Sequence, residues 1–83
     1  MALIPFPKNT FNHFQTCLPD ILEEEISRAS IRLRLQNNPQ TPEERGLYQA
    51  ELDRISVLKY ISQLRKGKLS KADFEKKVEL TAL

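Results

Sequence analysis

The residues best suited to chemistry are His13 and Cys17, whose spacing of four would place an imidazole and a thiolate on one helix face. Pro19 follows shortly after, and no third side chain orients the imidazole, so we expect a packed cysteine and an exposed histidine. Three consecutive carboxylates, Glu23–Glu25, suit the positive end of a helix dipole better than acid–base catalysis. The two glycines are far apart, which excludes a glycine-rich phosphate loop. We therefore predict that the chain is not an enzyme.

Basic side chains are concentrated around Gly67. The stretch from Lys59 to Lys77 holds seven Lys and Arg against two Asp and Glu, although the whole chain has a formal charge of only +2. Four cations flank the glycine and could contact phosphate groups of a nucleic acid: Arg65, Lys66, Lys68 and Lys71. The following helix should expose a face of mixed charge, which is unlike a base-reading helix. Nucleic-acid binding at this basic corner is therefore the alternative function.

The numbers of cysteine and histidine residues and the hydropathy of the chain limit which sites and which cellular locations are expected. One cysteine and one histidine allow neither an internal disulfide nor an internal tetrahedral zinc site, and we expect no cofactor. The N-terminus lacks the pattern of a secretory signal, and no apolar run reaches the roughly 18 residues that a membrane-spanning helix needs. These features predict a cytoplasmic protein without a membrane partner.

The first sixteen residues are predicted to form an extended apolar arm. Pro5 and Pro7 prevent a regular helix, and three of the four phenylalanines fall within the first fourteen positions. The apolar residues of this arm are Leu3, Ile4, Phe6, Phe11 and Phe14. Either the arm packs across helices of its own chain, or these residues dock into a groove on a partner protein.

Three helices are predicted after the arm, over residues 19–36, 42–66 and 70–80. Proline and acidic residues begin the first, whose buried stripe is Leu22, Ile26, Ala29 and Leu33. A capping box from Thr41 to Glu44 begins the second. Its stripe is Tyr48, Leu52, Ile55, Leu58 and Ile61, widened by Leu47, Val57 and Leu64.

The connections define the expected fold. The short Asn37–Gln40 segment predicts that the first two helices form an antiparallel hairpin. Gly67 closes the second helix and Ser70 caps the third, which should turn inward Phe74, either Val78 or Lys77, and as a further candidate Leu80. We therefore predict one all-α domain over residues 1–83: an antiparallel hairpin, a short third helix and an extended N-terminal arm. A hydrophobic core this small stabilises the fold only marginally, so binding to a partner or self-association could add stability.

The first helix carries more apolar surface than a three-helix domain needs. Ile31 and Leu35 lie away from its buried stripe, and Arg28 and Arg32 flank them. Arginine beside apolar residues is typical of a protein interface. These four residues are therefore predicted, together with the arm, to bind another protein.

The basic corner also carries a family resemblance. The pattern Leu64-x-x-Gly67-x-Leu69-Ser70-x-x-Asp73-Phe74-Glu75-Lys76-Lys77 resembles the short C-terminal two-helix module of bacterial and phage proteins called SHOCT. It covers about twenty residues, and Lys71 and Ala72 depart from the acidic first turn of that family. The resemblance implies an oligomerisation or docking element.

Together these patterns predict a non-catalytic adaptor, inhibitor or regulator that binds another protein, of the sort common in phages and mobile elements. Homo-oligomer formation is compatible with this function. The alternative is a small nucleic-acid-binding regulator that uses the basic corner.

Overall fold

The computed structural model describes residues 3–36 and 38–82. Met1 and Ala2 of the predicted arm, Asn37 of the predicted connection and Leu83 lie outside the described residues. In the described residues, four helices and two short strands follow one another in this order: β1 Ile4–Pro7, α1 Lys8–Thr16, α2 Pro19–Leu35, α3 Pro42–Arg65, α4 Lys71–Glu75 and β2 Val78–Thr81.

A two-stranded parallel sheet joins the two ends of the chain, so the prediction of an all-α fold is wrong. Ile4 is in register with Val78, and Pro7 with Thr81. The predicted third helix over 70–80 is helical only over Lys71–Glu75, and its last residues form β2. The physical reason is that the residues of β2, Val-Glu-Leu-Thr, alternate between apolar and polar types, a period that fits a strand better than a helix.

The predicted extended arm is extended only over β1 and continues as helix α1. Its three phenylalanines lie in the core of the same chain: Phe6 is 4% exposed, and Phe11 and Phe14 on α1 are also buried. The rings of Phe11 and Phe74 are 5.2 Å apart between centroids. Each buried phenylalanine contributes about 1.5–3 kcal/mol, so a chain this short gains more from packing these rings inside than from exposing them.

The two long helices occur where they were predicted. Helix α2 ends within one residue of the predicted position 36, and α3 within one residue of 66. The Thr41 hydroxyl accepts a hydrogen bond from the Glu44 amide over 3.1 Å, and the Glu44 carboxylate accepts one from the Gln40 amide over 3.0 Å. This reciprocal capping fixes the start of α3.

The buried stripes of both helices meet in the core. Leu22 and Ala29 of α2 and Ile55, Leu58 and Ile61 of α3 are buried, as predicted. Leu47 was predicted to widen the stripe of α3, but its side chain is 67% exposed. It lies near the start of α3, beyond the part of that helix that packs against the sheet and α1.

Polar contacts fix α2 against α3. The Ser62 hydroxyl donates a hydrogen bond to Glu23 Oε1 over 2.9 Å, and Arg54 Nη1 lies 3.0 Å from Glu25 Oε1. Because Glu23 is near the start of α2 and Ser62 near the end of α3, these contacts place the start of one helix beside the end of the other.

A left-handed glycine separates α3 from α4. Gly67 has a φ of 75°, and the Ser70 hydroxyl then accepts a hydrogen bond from the Asp73 amide over 3.1 Å to begin α4. In the ranges 3–36 and 38–82, each helix is too short or too polar to cross a membrane.

Candidate functional site

An exposed stripe runs the length of α2, opposite its buried side. We define the α2 face as Ile21, Glu24, Arg28, Ile31 and Leu35, which recur at spacings of three and four and therefore lie along one line of the helix. The side chains of Ile31 and Leu35 are 54% and 82% exposed, and Ile21 is exposed as well. An apolar residue thus lies at each end of the stripe.

Ion pairs order the charged side chains around the α2 face. Arg28 pairs with Glu24 one turn earlier, in the middle of the stripe. Beside it, Glu25 Oε1 lies 3.0 Å from Arg54 Nη1 and 3.5 Å from Arg32 Nη2. The Glu25–Arg54 pair is half-buried, whereas the Glu24–Arg28 and Glu25–Arg32 pairs are more exposed and add little stability. They do hold the two predicted arginines against the helix, between the apolar ends of the stripe.

More apolar surface lies at the end of α2 that faces the connection to α3. Leu47 is exposed there and shares with Gln36, Pro39 and Glu44 the lining of a pocket of about 240 Å³. The sequence-based prediction named neither Leu47 nor Ile21 as a binding residue. Ile21 could have been found from its spacing, because it precedes Arg28 by seven residues and Leu35 by fourteen and therefore lies on the same side of the helix. Leu47 could not, because its spacing fits a buried position of α3.

The predicted docking residues of the arm are separated from the α2 residues. Phe6, Phe11 and Phe14 face the core, Ile4 is half-buried against it, and Leu3 is partly exposed. The α2 residues are therefore the predicted protein-binding residues that the structure brings together on an open surface.

The four cations predicted to bind phosphate are likewise divided between contacts inside the chain and open surface. Arg65 Nη1 donates a hydrogen bond to the Phe14 carbonyl over 3.0 Å and lies 3.8 Å from Cys17 Sγ. Lys66 Nζ lies 3.4 Å from Glu23 Oε1. Lys68 and Lys71 are exposed. Two of the four cations thus make contacts inside the chain, and the other two face solvent.

The surroundings of Glu23 perturb its titration. The hydrogen bond from Ser62 holds the pKa of this carboxyl below its ordinary value of 4.5; burial opposes this by raising the pKa, and the nearby Lys66 ammonium lowers it further. The carboxylate is therefore charged at neutral pH and ties the start of α2 to the end of α3.

The two residues with the most reactive side chains have structural contacts. Cys17 is half-buried and its thiol donates to the Phe14 carbonyl over 3.5 Å. His13 is exposed, with its ring edge against Phe14. Within residues 3–36 and 38–82, His, Cys, Asp and Glu side chains form no group that could hold a metal ion.

Comparison with known proteins gives no match to a family model, a curated protein or a solved structure. The resemblance of residues 64–77 to the SHOCT module therefore stays a prediction.

Proposed function

We propose that the chain is a non-catalytic protein-binding adaptor, inhibitor or regulator, and that the α2 face holds its partner. The observation that carries the proposal is the exposure of Ile31 and Leu35, 54% and 82%, on one line of a helix whose opposite side is packed in the core. Large apolar side chains grouped on a stable helix surface are typical of interaction sites.

The spacing of the α2 face favours a helix as the partner element. Its residues recur at alternating spacings of three and four, which is the pattern of positions that pack between the side chains of a neighbouring helix. Leu35 and Ile31 would provide the apolar anchors at one end of that contact and Ile21 at the other. The Glu24–Arg28 pair in the middle would select partners with complementary charge.

The contacts of the basic corner favour protein binding over nucleic-acid binding. Arg65 and Lys66 are engaged with Phe14 and Glu23, which leaves fewer free cations than the sequence offered. Phosphate contact through Lys68 and Lys71 remains the competing function, and its affinity would fall steeply with salt.

Capture from a nuclease-treated lysate, with two matched double variants, tests the proposal. Ile31→Gln with Leu35→Gln removes the apolar anchors of α2, and Lys68→Gln with Lys71→Gln removes the free cations of the corner. We expect the first variant to lose a protein that both the wild type and the second variant retain. If the captured protein is lost only from the lysine variant, or if the wild type captures it only without nuclease treatment, the result would instead support the nucleic-acid function.

Light scattering of the purified chain distinguishes a second copy from a different protein. A monomer that captures its partner supports an adaptor or regulator. A dimer that the α2 variant dissociates would mean that the α2 face binds another copy of the chain.

A further inference from the structure

Apolar residues lie at matching distances on both sides of the Glu24–Arg28 pair on α2. Ile21 precedes Glu24 by three residues, and Ile31 follows Arg28 by three. An exposed leucine lies farther out on each side, before the helix and at its last residue: Leu18 at 68% exposed and Leu35 at 82%. The order of apolar and charged positions is therefore the same from either end, and the two charges are of opposite sign.

Such a pattern is complementary to itself when two copies of α2 pair in opposite directions. Ile21 of one copy would lie at the level of Ile31 of the second, and Glu24 at the level of Arg28. A two-fold axis between these levels repeats each contact, so the four charges alternate in sign around the axis. A parallel pair would instead place Glu24 beside Glu24 and Arg28 beside Arg28, which is repulsive. The charges therefore favour the antiparallel pair.

The α2 face points away from the core, where a second copy can reach it. Helix α2 packs chiefly against α3, and Ala29 is its most deeply buried residue. Ile31 follows two positions later, about 200° around the helix axis from Ala29. Ile31 and Leu35 are both exposed, so pairing would cover apolar surface that the single chain leaves in water.

The charges on the flanks of the α2 face are compatible with the same pair. Asp20 and Arg34 are exposed and fourteen residues apart, and therefore lie on one flank. The antiparallel pair would bring Asp20 of each copy close to Arg34 of the other. On the opposite flank the two Glu25 carboxylates would approach each other, but each already lies 3.0 Å from Arg54 of its own chain. The flanks thus add attraction on one side and little repulsion on the other.

The charged middle of this pair makes it weak. Removing an ion pair from water costs about as much free energy as the attraction returns, so the apolar layers at the two ends provide the net affinity. One short helix against another is a small interface, of the class found in transient complexes. A partner protein that contacts the α2 face and also the exposed Leu47 beside its end would therefore displace the second copy.

We propose that free copies of the chain pair antiparallel through the α2 face, so that a second copy covers this face until the partner protein displaces it. The proposal rests on the function proposed for the α2 face, because it describes how the same surface is regulated. In the pair, Glu24 of each copy lies opposite Arg28 of the other.

Sedimentation equilibrium of the purified full chain tests the pairing. We expect the wild type to change from monomer to dimer as its concentration rises from about 10 μM to about 1 mM, the range of a weak interface. Glu24→Arg and Arg28→Glu each place like charges opposite one another, so each variant alone should dimerise at least about tenfold more weakly. An equal mixture of the two variants should dimerise again, because the mixed pair restores opposite charges at both levels. Both variants should fold, since the ion pair that they remove is exposed and adds little stability.

The control is Lys68→Gln with Lys71→Gln, which leaves α2 unchanged and should dimerise as the wild type does. A wild type that stays monomeric at about 1 mM would overturn the proposal, and so would a dimer that neither charge reversal weakens. Dimerisation of the mixture but not of the wild type would indicate a parallel pair and would also overturn it.

The captured partner protein, added to the dimer, tests the displacement. The resulting complex should contain one copy of the chain, and a complex that contains two paired copies would overturn the proposal. Failure of the function proposed for the α2 face gives a different result: the Ile31→Gln/Leu35→Gln variant would still capture the partner, whether or not the wild type dimerises.

Discussion

Arg65 Nη1 donates a hydrogen bond to the carbonyl oxygen of Phe14 over 3.0 Å, which joins the last turn of α3 to the end of α1. The carbonyl groups in the last turn of a helix have no partner within the helix, and a cation is favourable at that end of the dipole. An arginine predicted to bind phosphate thus stabilises the position of the N-terminal aromatic residues.

Replacing this arginine should lower stability. Arg65→Met keeps most of the packing of the stem but leaves the carbonyl of the buried Phe14 with the weak Cys17 thiol in place of a charged donor, at a cost of about 1–3 kcal/mol. Urea unfolding measures the change. Arg34→Met is the matched control, because Arg34 is exposed on α2, and its effect should stay within about 0.5 kcal/mol. Equal effects of the two substitutions would contradict this role of Arg65.

The N-terminal strand is expected to be part of the folding unit. Phe6→Ala removes a ring that is 4% exposed, and truncations of this kind cost about 3–5 kcal/mol. That is a large share of the stability of a small domain, which is about 5–15 kcal/mol. Leu47→Ala truncates an exposed side chain of α3 and should change the free energy of unfolding by less than about 0.5 kcal/mol. A Phe6→Ala effect as small as the Leu47→Ala effect would mean that the strand does not pack on the core.

The two glycines should respond to alanine in opposite directions. Neither has an atom of another residue close enough to clash with an added Cβ, so backbone conformation decides the outcome. Gly67 has a φ of 75°, and alanine there should cost about 1–2 kcal/mol. Gly46 lies inside α3 with ordinary helical geometry, and alanine there should add about 0.5–1 kcal/mol. Thermal unfolding of both variants shows whether each substitution raises or lowers stability. A destabilising Gly46→Ala substitution would contradict the helical conformation assigned to Gly46.

Acid should weaken the contact between α2 and α3. The pKa of Glu23 is lower in the folded chain than its ordinary value of 4.5, chiefly because Ser62 donates a hydrogen bond to it. A lowered pKa gives stability that is fully present above the unfolded value and is lost as pH falls through the folded value. Ser62→Ala should therefore reduce stability at neutral pH and flatten its decline below about pH 4.5. A parallel pH profile for the variant and the wild type would rule out this contribution.

Local signals in the sequence were sufficient to predict the long helices. Thr41 and Ser70 cap helices as their sequence contexts indicate, because a capping hydroxyl and the amides it accepts from are only three residues apart. Residues 31–35 alternate between apolar residues and arginine, which is the period of a strand, yet they lie in the helix predicted over residues 19–36, and the structure confirms that helix. These features depend on neighbours in the chain and need no knowledge of the tertiary fold.

The parallel sheet depends on a pairing that local signals do not contain. Ile4 and Val78 are separated by nearly the whole chain, and each strand has only four residues. Pro5 and Pro7 of β1 have no N–H group to donate to a strand ladder. In the structure they lie where their backbone faces away from β2, so they remove no hydrogen bond from the ladder.

The candidate site was only partly visible in the sequence, for a similar reason. The amount of apolar surface near the N-terminus was evident, but whether it faces a partner or the core depends on how α1 packs against α3 and α4. Phe11 meets Phe74, a contact between distant parts of the chain, and this pairing places the aromatic residues inside. The exposure of Ile31 and Leu35 on α2 followed from helix periodicity alone and required no tertiary information, although the same periodicity was not applied to Ile21.

The central claim is that the α2 face binds the partner protein while the N-terminal aromatic residues only stabilise the fold. Its most direct test is a calorimetric titration of the purified captured protein against the wild type, the Ile31→Gln/Leu35→Gln variant and Phe6→Leu, with unfolding measured for each. We predict that the α2 variant keeps its stability and loses at least about tenfold in affinity, whereas Phe6→Leu is less stable and binds as the wild type does. Full affinity in the α2 variant, or weakened binding by a folded Phe6→Leu protein, would contradict the claim.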